Sequence, residues 1–469
     1  MNRRTFLAAL PPLAASTALA ADPRAELVFD AENLGEPIRP LAGVNGGPVA
    51  AGGILDLSAR WKEAAFPFAR LHDCHWPIPD VVDVKAVFPD FAADPANPAS
   101  YDFARTDEFV KAIHDAGTAI VYRLGESIEH QKVKRRVQPP KDFAKWAEVC
   151  AGIVRHYTDG WADGFRYPIR YWEIWNEPDN RPNCWTGTDA QFLDLYVTAA
   201  KVLKAKFPKL MIGGPGLGNS GDLKGDRLEP TAFLRDFLAR CRKDWVPLDF
   251  LSWHCYTGDP TEFVRRAKGM RQILDAAGFK GTESHLNEWN YLPDGKWTGM
   301  MAKDALARQT WHDRLGGPEG AAFAAAALCL LQDAPLDVAN YFSAEAQGMG
   351  LFSPHGVPNK VFYAMAAFKN FTGLRRLPLK GELPAGLTAL AGMAVDKKSG
   401  LILLSRHAGT GGAVRIDLRS APAVTTVDVV GIDATRNGTP VESRAVVDGS
   451  ITLDVPAASV RLLRLTTRA

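Results

Sequence analysis

Ile169-Arg170-Tyr171-Trp172-Glu173-Ile174-Trp175-Asn176-Glu177-Pro178 is a short, apolar, strand-like run that ends on a carboxylate. Aromatic and β-branched residues dominate it, as on a pleated, buried surface, and the proline closes it. A second run, Glu283-Ser284-His285-Leu286-Asn287-Glu288-Trp289-Asn290, also carries a glutamate near its far end. Two carboxylates facing one sugar are the minimal equipment for breaking a glycosidic bond. One donates a proton to the leaving oxygen; the other attacks the anomeric carbon or activates water. The reading therefore turns on whether the fold brings Glu177 and Glu288 together.

Working outward, these runs are two of eight β-rich segments, at 38–46, 66–73, 119–126, 171–177, 210–216, 249–256, 283–290 and 338–343. Between most of them lie stretches with helical spacing of apolar residues, at 103–116, 143–157, 192–207, 231–241, 262–277 and 300–324. Gly117, Pro208, Pro247, Gly278 and Gly317 punctuate the junctions. Strand alternating with helix eight times is the signature of a (β/α)8 TIM barrel. A doubly wound open sheet is the runner-up, but Gly213-Gly214-Pro215-Gly216 lacks the spacing of a phosphate-binding loop. In a barrel, working residues project from the C-terminal strand ends, so Glu177 on strand four and Glu288 on strand seven open on one mouth. Glu283 and Glu173 are expected at the wrong end of their strands.

From about Gly373 the pattern changes to short strands and turns, at 387–395, 401–406, 413–418, 424–432, 450–455 and 459–465. Turn residues such as Asn437-Gly438 and Asp448-Gly449 separate them, which indicates a small antiparallel β-sandwich. The expected organisation is a targeting segment over 1–20, an N-terminal strand within 21–37 that pairs with the sandwich, a catalytic barrel over 38–372 and the sandwich over 373–469. Arg3-Arg4 ahead of a short apolar run, with Ala18-Leu19-Ala20 as a small-x-small cleavage site, is a twin-arginine export pattern. Periplasmic or secreted localisation follows as an expectation. No stretch is long and apolar enough for a spanning helix, so no membrane partner is expected. The formal net charge is +2 without a basic stripe, which argues against nucleic acid. Oligomeric state is not legible. The six scattered cysteines form no CxxC pair and read mostly as small buried hydrophobes, with one late-formed bridge allowed for.

Trp175-Asn176-Glu177-Pro178 with Asn287-Glu288-Trp289-Asn290 resembles the clan of retaining barrel glycosidases that carry both carboxylates on strands four and seven. Within that clan the chain is most similar to family-39 glycoside hydrolases, the group of β-xylosidases and α-L-iduronidases. Phe68-Ala69-Arg70-Leu71-His72-Asp73 and Asp249-Phe250-Leu251-Ser252-Trp253-His254-Cys255-Tyr256 resemble that family's strand-two and strand-six runs. Gly350-Leu351-Phe352, followed by Lys360-Val361-Phe362-Tyr363-Ala364, resembles its exit from the barrel. The resemblance implies that Glu177 is the general acid/base, its pKa kept high by partial burial, and Glu288 the nucleophile. It implies that Asn176 bonds the sugar 2-hydroxyl, that Tyr256 holds the nucleophile, and that His254 contacts the sugar or the acid/base. His72 would line the same cleft, with Arg70 orienting a carboxylate from below. Asn287 stands where the clan often has Ser or Thr.

Other residues carry weaker signals, each with a bland alternative. Trp76, Trp185, Trp289 and Trp297 are candidate sugar platforms or loop packing. Glu345, after strand eight, is within reach of a sugar hydroxyl or is merely structural. His72-Asp73-Cys74-His75 has a ligand-like inventory, but strand alternation sends His72 and Cys74 one way and Asp73 and His75 the other, so no metal is expected. Lys132-Val133-Lys134-Arg135-Arg136 is a solvated loop or an attractor for an acidic saccharide. The reading is a cofactor-free, exported retaining glycosidase acting on an oligo- or polysaccharide, β-xylosidase-like. The alternatives are an endo-acting exopolysaccharide hydrolase, a furanosidase, an iduronidase-like enzyme, or a non-catalytic carbohydrate-binding barrel. The long segment after strand two favours exo action.

Overall fold

A computed structural model describes residues 25–50, 54–74, 80–421 and 423–467. The targeting segment expected over 1–20, His75 and Trp76 lie outside the described residues. Eight parallel strands close into a barrel, each hydrogen-bonded to the next and the eighth to the first. They are Gly43–Asn45, Phe68–Leu71, Ala119–Leu124, Tyr171–Ile174, Met211–Leu217, Phe250–Thr257, Glu283–Tyr291 and Val338–Tyr341, one at each expected run, the fifth, sixth and seventh each reaching one residue past it. The strands are buried on both faces, as parallel strands wrapped in helices must be.

The helices fall where the apolar spacing places them: Ala104–Asp115, Phe143–Thr158, Asp189–Lys206, Ala232–Lys243 and Thr261–Ala276. Thr188 opens the third with a reciprocal capping box to Gln191, and Thr231 caps the fourth through Leu234 N. The expected single helix over 300–324 is two, Ala305–Gly316 and Pro318–Leu331. Gly317 is extended and Pro318 takes the first helical position, where its missing N–H costs nothing. The second of these helices is buried almost throughout, because its outer face packs on the C-terminal sheet. Its alanines let two layers approach it closely, and Ser405 Oγ donates to Ala322 O at 2.6 Å.

The C-terminal region is a sandwich of a six-stranded and a four-stranded sheet around a separate apolar core. The N-terminal strand Ala25–Phe29 lies inside the four-stranded sheet, antiparallel to Leu379–Lys380 but parallel to Gly412–Asp417, so the sandwich is not purely antiparallel. Three of its strands, Arg375–Leu377, Leu379–Lys380 and Asn437–Ala445, were unexpected. Asn437–Ala445 is an exposed, polar edge strand containing Pro440, and it reads in sequence as a turn. No helix among the described residues is long and apolar enough to cross a membrane.

Candidate active site

The barrel interior is layered. At the base, Val121, Tyr171, Phe250 and Val338 form a small apolar plug. Glu283 starts its strand at this end, bonded by Tyr171 Oη at 2.9 Å, with His285 Nε2 at 3.0 Å. Above the plug lies a buried ionic layer centred on Arg70. Its Nε donates to Glu173 Oε2 at 2.6 Å, its Nη1 to Glu288 Oε1 at 2.8 Å and its Nη2 to Asn176 Oδ1 at 2.7 Å. Glu173 also accepts from Ser252 Oγ at 2.5 Å and from Asn287 Nδ2. A buried charge needs such a full set of partners, and here one cation serves two carboxylates.

On this base stand the two glutamates. The fourth strand ends at Ile174, and Trp175 and Glu177 adopt left-handed backbone (φ 73° and 46°). Such conformations in bulky residues cost about 1–3 kcal/mol and persist only where surroundings enforce them. Here Glu177 N donates to Gly216 O at 2.8 Å across to the next strand. Gly216 is itself at φ 63°, and a Cβ there would lie 3.1 Å from the Arg70 guanidinium. On strand seven a register shift between Trp253 and His254 leaves Asn287 over, so that Glu288 pairs directly with His254. Bulges re-aim side chains in this way. One oxygen of Glu177, one of Glu288 and a ring nitrogen of His254 consequently lie within 4.8 Å of one another. His254 Nδ1 is 2.8 Å from Glu177 Oε1 and 3.3 Å from Glu288 Oε2. Tyr256 Oη donates to the same oxygen of the nucleophile candidate, Glu288 Oε2, at 2.7 Å. Asn180 Nδ2 donates to Glu177 Oε2 at 2.7 Å. The carboxylates open into a cavity of about 1590 Å³.

The electrostatics differ from the sequence expectation. Burial pushes the Glu177 carboxyl up, but the His254 ring, with help from Asn180 and Cys184, outweighs it and holds the group below the usual carboxylate range. Partial burial therefore does not keep Glu177 protonated. Burial likewise pushes His254 down, and the Glu288 charge with the Glu177 bond more than reverses this, so the ring holds its proton above the ordinary histidine range. Glu177 and His254 share one proton, resident on His254. Burial and the Glu288 charge push Asp73 up to about 7. Burial first, then Glu288, push the Tyr256 phenol up, so it remains a donor.

The model for glycosyl hydrolases family 39 matches residues 82–286, which run from before strand three into strand seven and include Glu177. A β-xylosidase of Caldicellulosiruptor saccharolyticus is 27% identical over 272 residues, covering 52% of this chain and 49% of the relative. Over that stretch the chain is similar to glycoside hydrolase family 39. A β-xylosidase of Geobacillus stearothermophilus is 29% identical over 181 residues, 34% of this chain and 33% of that one. The chain thus matches less than half of the length of these curated relatives. Over nearly the whole chain, the fold matches the crystal structure of a glucosidase from Croceicoccus marinus. That match has a TM-score of 0.78 and 28% identity, covering 95% of this chain and 99% of the other.

Within this site, His72, His254, Tyr256, Glu177 and Glu288 line the cavity together. Arg70 is fully buried beneath it and orients carboxylates from below, as expected; Asn176 is 1% exposed and its Oδ1 accepts from Arg70. Trp185 and Trp289 are fully buried and pack on Trp175 and Phe263, so they are core rather than sugar platforms. Trp297, 39% exposed, does line the cavity and packs on Tyr256. Glu345 is buried behind Gly46, whose added Cβ would fall 2.3 Å from its Cγ, and it accepts from Gln347 Nε2 at 2.9 Å. Gln347, not Glu345, lines the cavity. The alternation expected for 72–75 fails because the strand ends at Leu71 and Asp73 is left-handed (φ 50°). His72 and Asp73 both line the cavity, 3.3 Å apart, while Cys74 is buried. All six cysteines are buried and unpaired, which removes the bridge allowed for. Glu173 was placed at the wrong end; it shares the inward parity of Glu177 and is the second partner of Arg70. Asp73 and Asn180 were missed, and only their positions just past strand ends signal them.

Proposed function

We propose that the protein is a retaining β-glycosidase of β-xylosidase type, acting outside the cytoplasm. The observation that carries the mechanism is the spacing of the acids. Oxygens within 4.8 Å leave no room for the water of an inverting reaction, which needs roughly 6.5–9.5 Å between carboxyls, and suit the roughly 5–5.5 Å of double displacement.

In the first step a Glu288 oxygen bonds to the anomeric carbon as the glycosidic C–O bond breaks, and the proton held on His254 Nδ1 passes through Glu177 to the leaving oxygen. Arg70 and Tyr256 hold one oxygen each of Glu288 and keep it aimed. Ester formation then removes the Glu288 charge that held the proton on His254, leaving a neutral ring beside ionised Glu177. In the second step Glu177 takes a proton from water, the water oxygen bonds to the anomeric carbon, and the ester to Glu288 breaks. The proton returns to His254. The Nε2 atom of His254 is buried and has no partner among the described residues, which makes it available to a sugar hydroxyl.

Xyloside specificity is supported by the curated relatives' names. A second reading, hydrolysis of glucosides, is favoured by the likeness to the Croceicoccus marinus glucosidase across 95% of the chain. Aryl β-xylosides, β-glucosides and arabino- and galactofuranosides separate these readings. On the preferred one, Glu177→Gln and Glu288→Gln each lower kcat by about 10²–10⁴-fold or more. Retention of more than a tenth of the activity by either variant would remove that residue from the chemistry. The twin-arginine pattern supports export, which N-terminal sequencing of the mature protein would check.

A further inference from the structure

We propose that the cavity carries an anion subsite on its leaving-group side, centred on Arg135, which binds the carboxylate of a uronic acid attached to the scissile chain. The inference rests on the glycosidase reading above and deepens it. A volume of about 1590 Å³ exceeds the roughly 300–1,000 Å³ of ordinary small-molecule sites, so the cavity holds more than the sugar being cleaved.

The wall beside the acid/base is the loop after strand three, residues 125–142, which has no regular secondary structure. Such a loop is mobile unless it is tied down, and this one is tied at many points. The Glu129 carboxylate accepts from Arg135 N and Arg136 N at 2.8 and 2.9 Å. The Lys85 ammonium donates to Arg135 O at 3.3 Å and also to Arg136 O. Two further bonds fasten the loop to the segment that carries Glu177. Glu129 N donates to Asn183 O at 2.9 Å, and Lys134 Nζ donates to Asn183 Oδ1 at 2.8 Å. A leaving group protonated by Glu177 therefore emerges against this loop.

The charges on the wall are almost all spent. Arg136 pairs with Asp80 at 2.6 Å. Glu129 is occupied by its backbone amides, and Asp179 by Gly218 N and Asn219 N at 3.1 and 2.7 Å. Glu262, farther round, is held by Arg266 at 2.7 Å. Arg135 is the exception: it lines the cavity, is exposed, and takes part in no ion pair among the described residues. Trp297, Met300 and Met301 give the same cavity an uncharged stretch of lining. A lone guanidinium on a fixed loop, in a cavity that also has apolar lining, suits a planar carboxylate carried on a sugar ring.

The test is calorimetric binding to the full-length Glu288→Gln protein, which removes turnover. The probes are xylotriose and xylotriose bearing a glucuronic acid branch. The proposal expects the acidic sugar to bind about tenfold tighter at low salt, from one charge-assisted contact, with the advantage shrinking as salt rises. Adding Arg135→Gln should bring the ratio of the two affinities to about one. The control Lys132→Gln, exposed and outside the cavity lining, should keep the ratio. Equal binding of the two sugars, or a ratio unchanged by Arg135→Gln, overturns the subsite and leaves the glycosidase reading standing. Failure of both sugars to bind overturns the xyloside reading, and the subsite with it.

Discussion

At the scale of single residues, the site is an arrangement of charge around one shared proton. His254 touches both carboxylates, so its replacement has a direction that can be predicted. In His254→Asn the proton belongs to Glu177 alone, raised by burial but no longer drawn from a histidine held above its ordinary range. The basic limb of the kcat/KM profile should therefore move to lower pH; an unmoved limb would show that His254 takes no part in proton storage. Asp73 supplies a second sign. Its folded-state pKa of about 7 lies above its ordinary 3.8, so between those values the folded chain holds a proton that the unfolded chain releases. Stability contributed by that proton is present at low pH and lost as pH rises toward 7. Asp73→Asn, which keeps a side chain tolerant of left-handed backbone, should gain in melting temperature over the parent as pH rises from 5 to 7. A constant difference would contradict the assignment. Glu177 and Glu288 were legible in the sequence because each ends a strand in a distinctive context. Glu173 and Asp73 were not, since their roles depend on parity within a barrel and on a strand ending two residues early.

At the scale of elements, apolar period and glycine or proline punctuation were enough to find all eight barrel strands. They did not find the bulge that sets His254 beside Glu288, because a one-residue register shift leaves no mark in composition. Nor did they find the edge strand Asn437–Ala445, whose polar residues serve an exposed edge rather than a buried face. The helix Pro318–Leu331 shows the reverse case. Its alanine run was legible as buried, yet what it is buried between became clear only from the sandwich packed against it. Ala325 is fully buried there, and Ala325→Leu should overpack the junction and cost about 1–3 kcal/mol. Thermal unfolding should show the loss, with kcat of the folded fraction unchanged. An unaltered melting temperature would mean that the junction has slack.

At the scale of the whole molecule, the layers have separate tasks. The apolar plug closes the base, and the Arg70 layer holds charge above it. The bulged and left-handed strand ends then bring two distant acids to one mouth. The sandwich completes the burial of a barrel helix, and the N-terminal strand ties the start of the described chain into that second domain. The account depends most on the separation of Glu177 and Glu288, because that distance selects the stereochemical course. The direct measurement is proton NMR of the first-formed sugar, taken during hydrolysis of the best aryl β-glycoside before mutarotation. The short separation predicts that the β-anomer appears first. Initial release of the α-anomer would mean inversion and would contradict the double displacement assigned to these two glutamates.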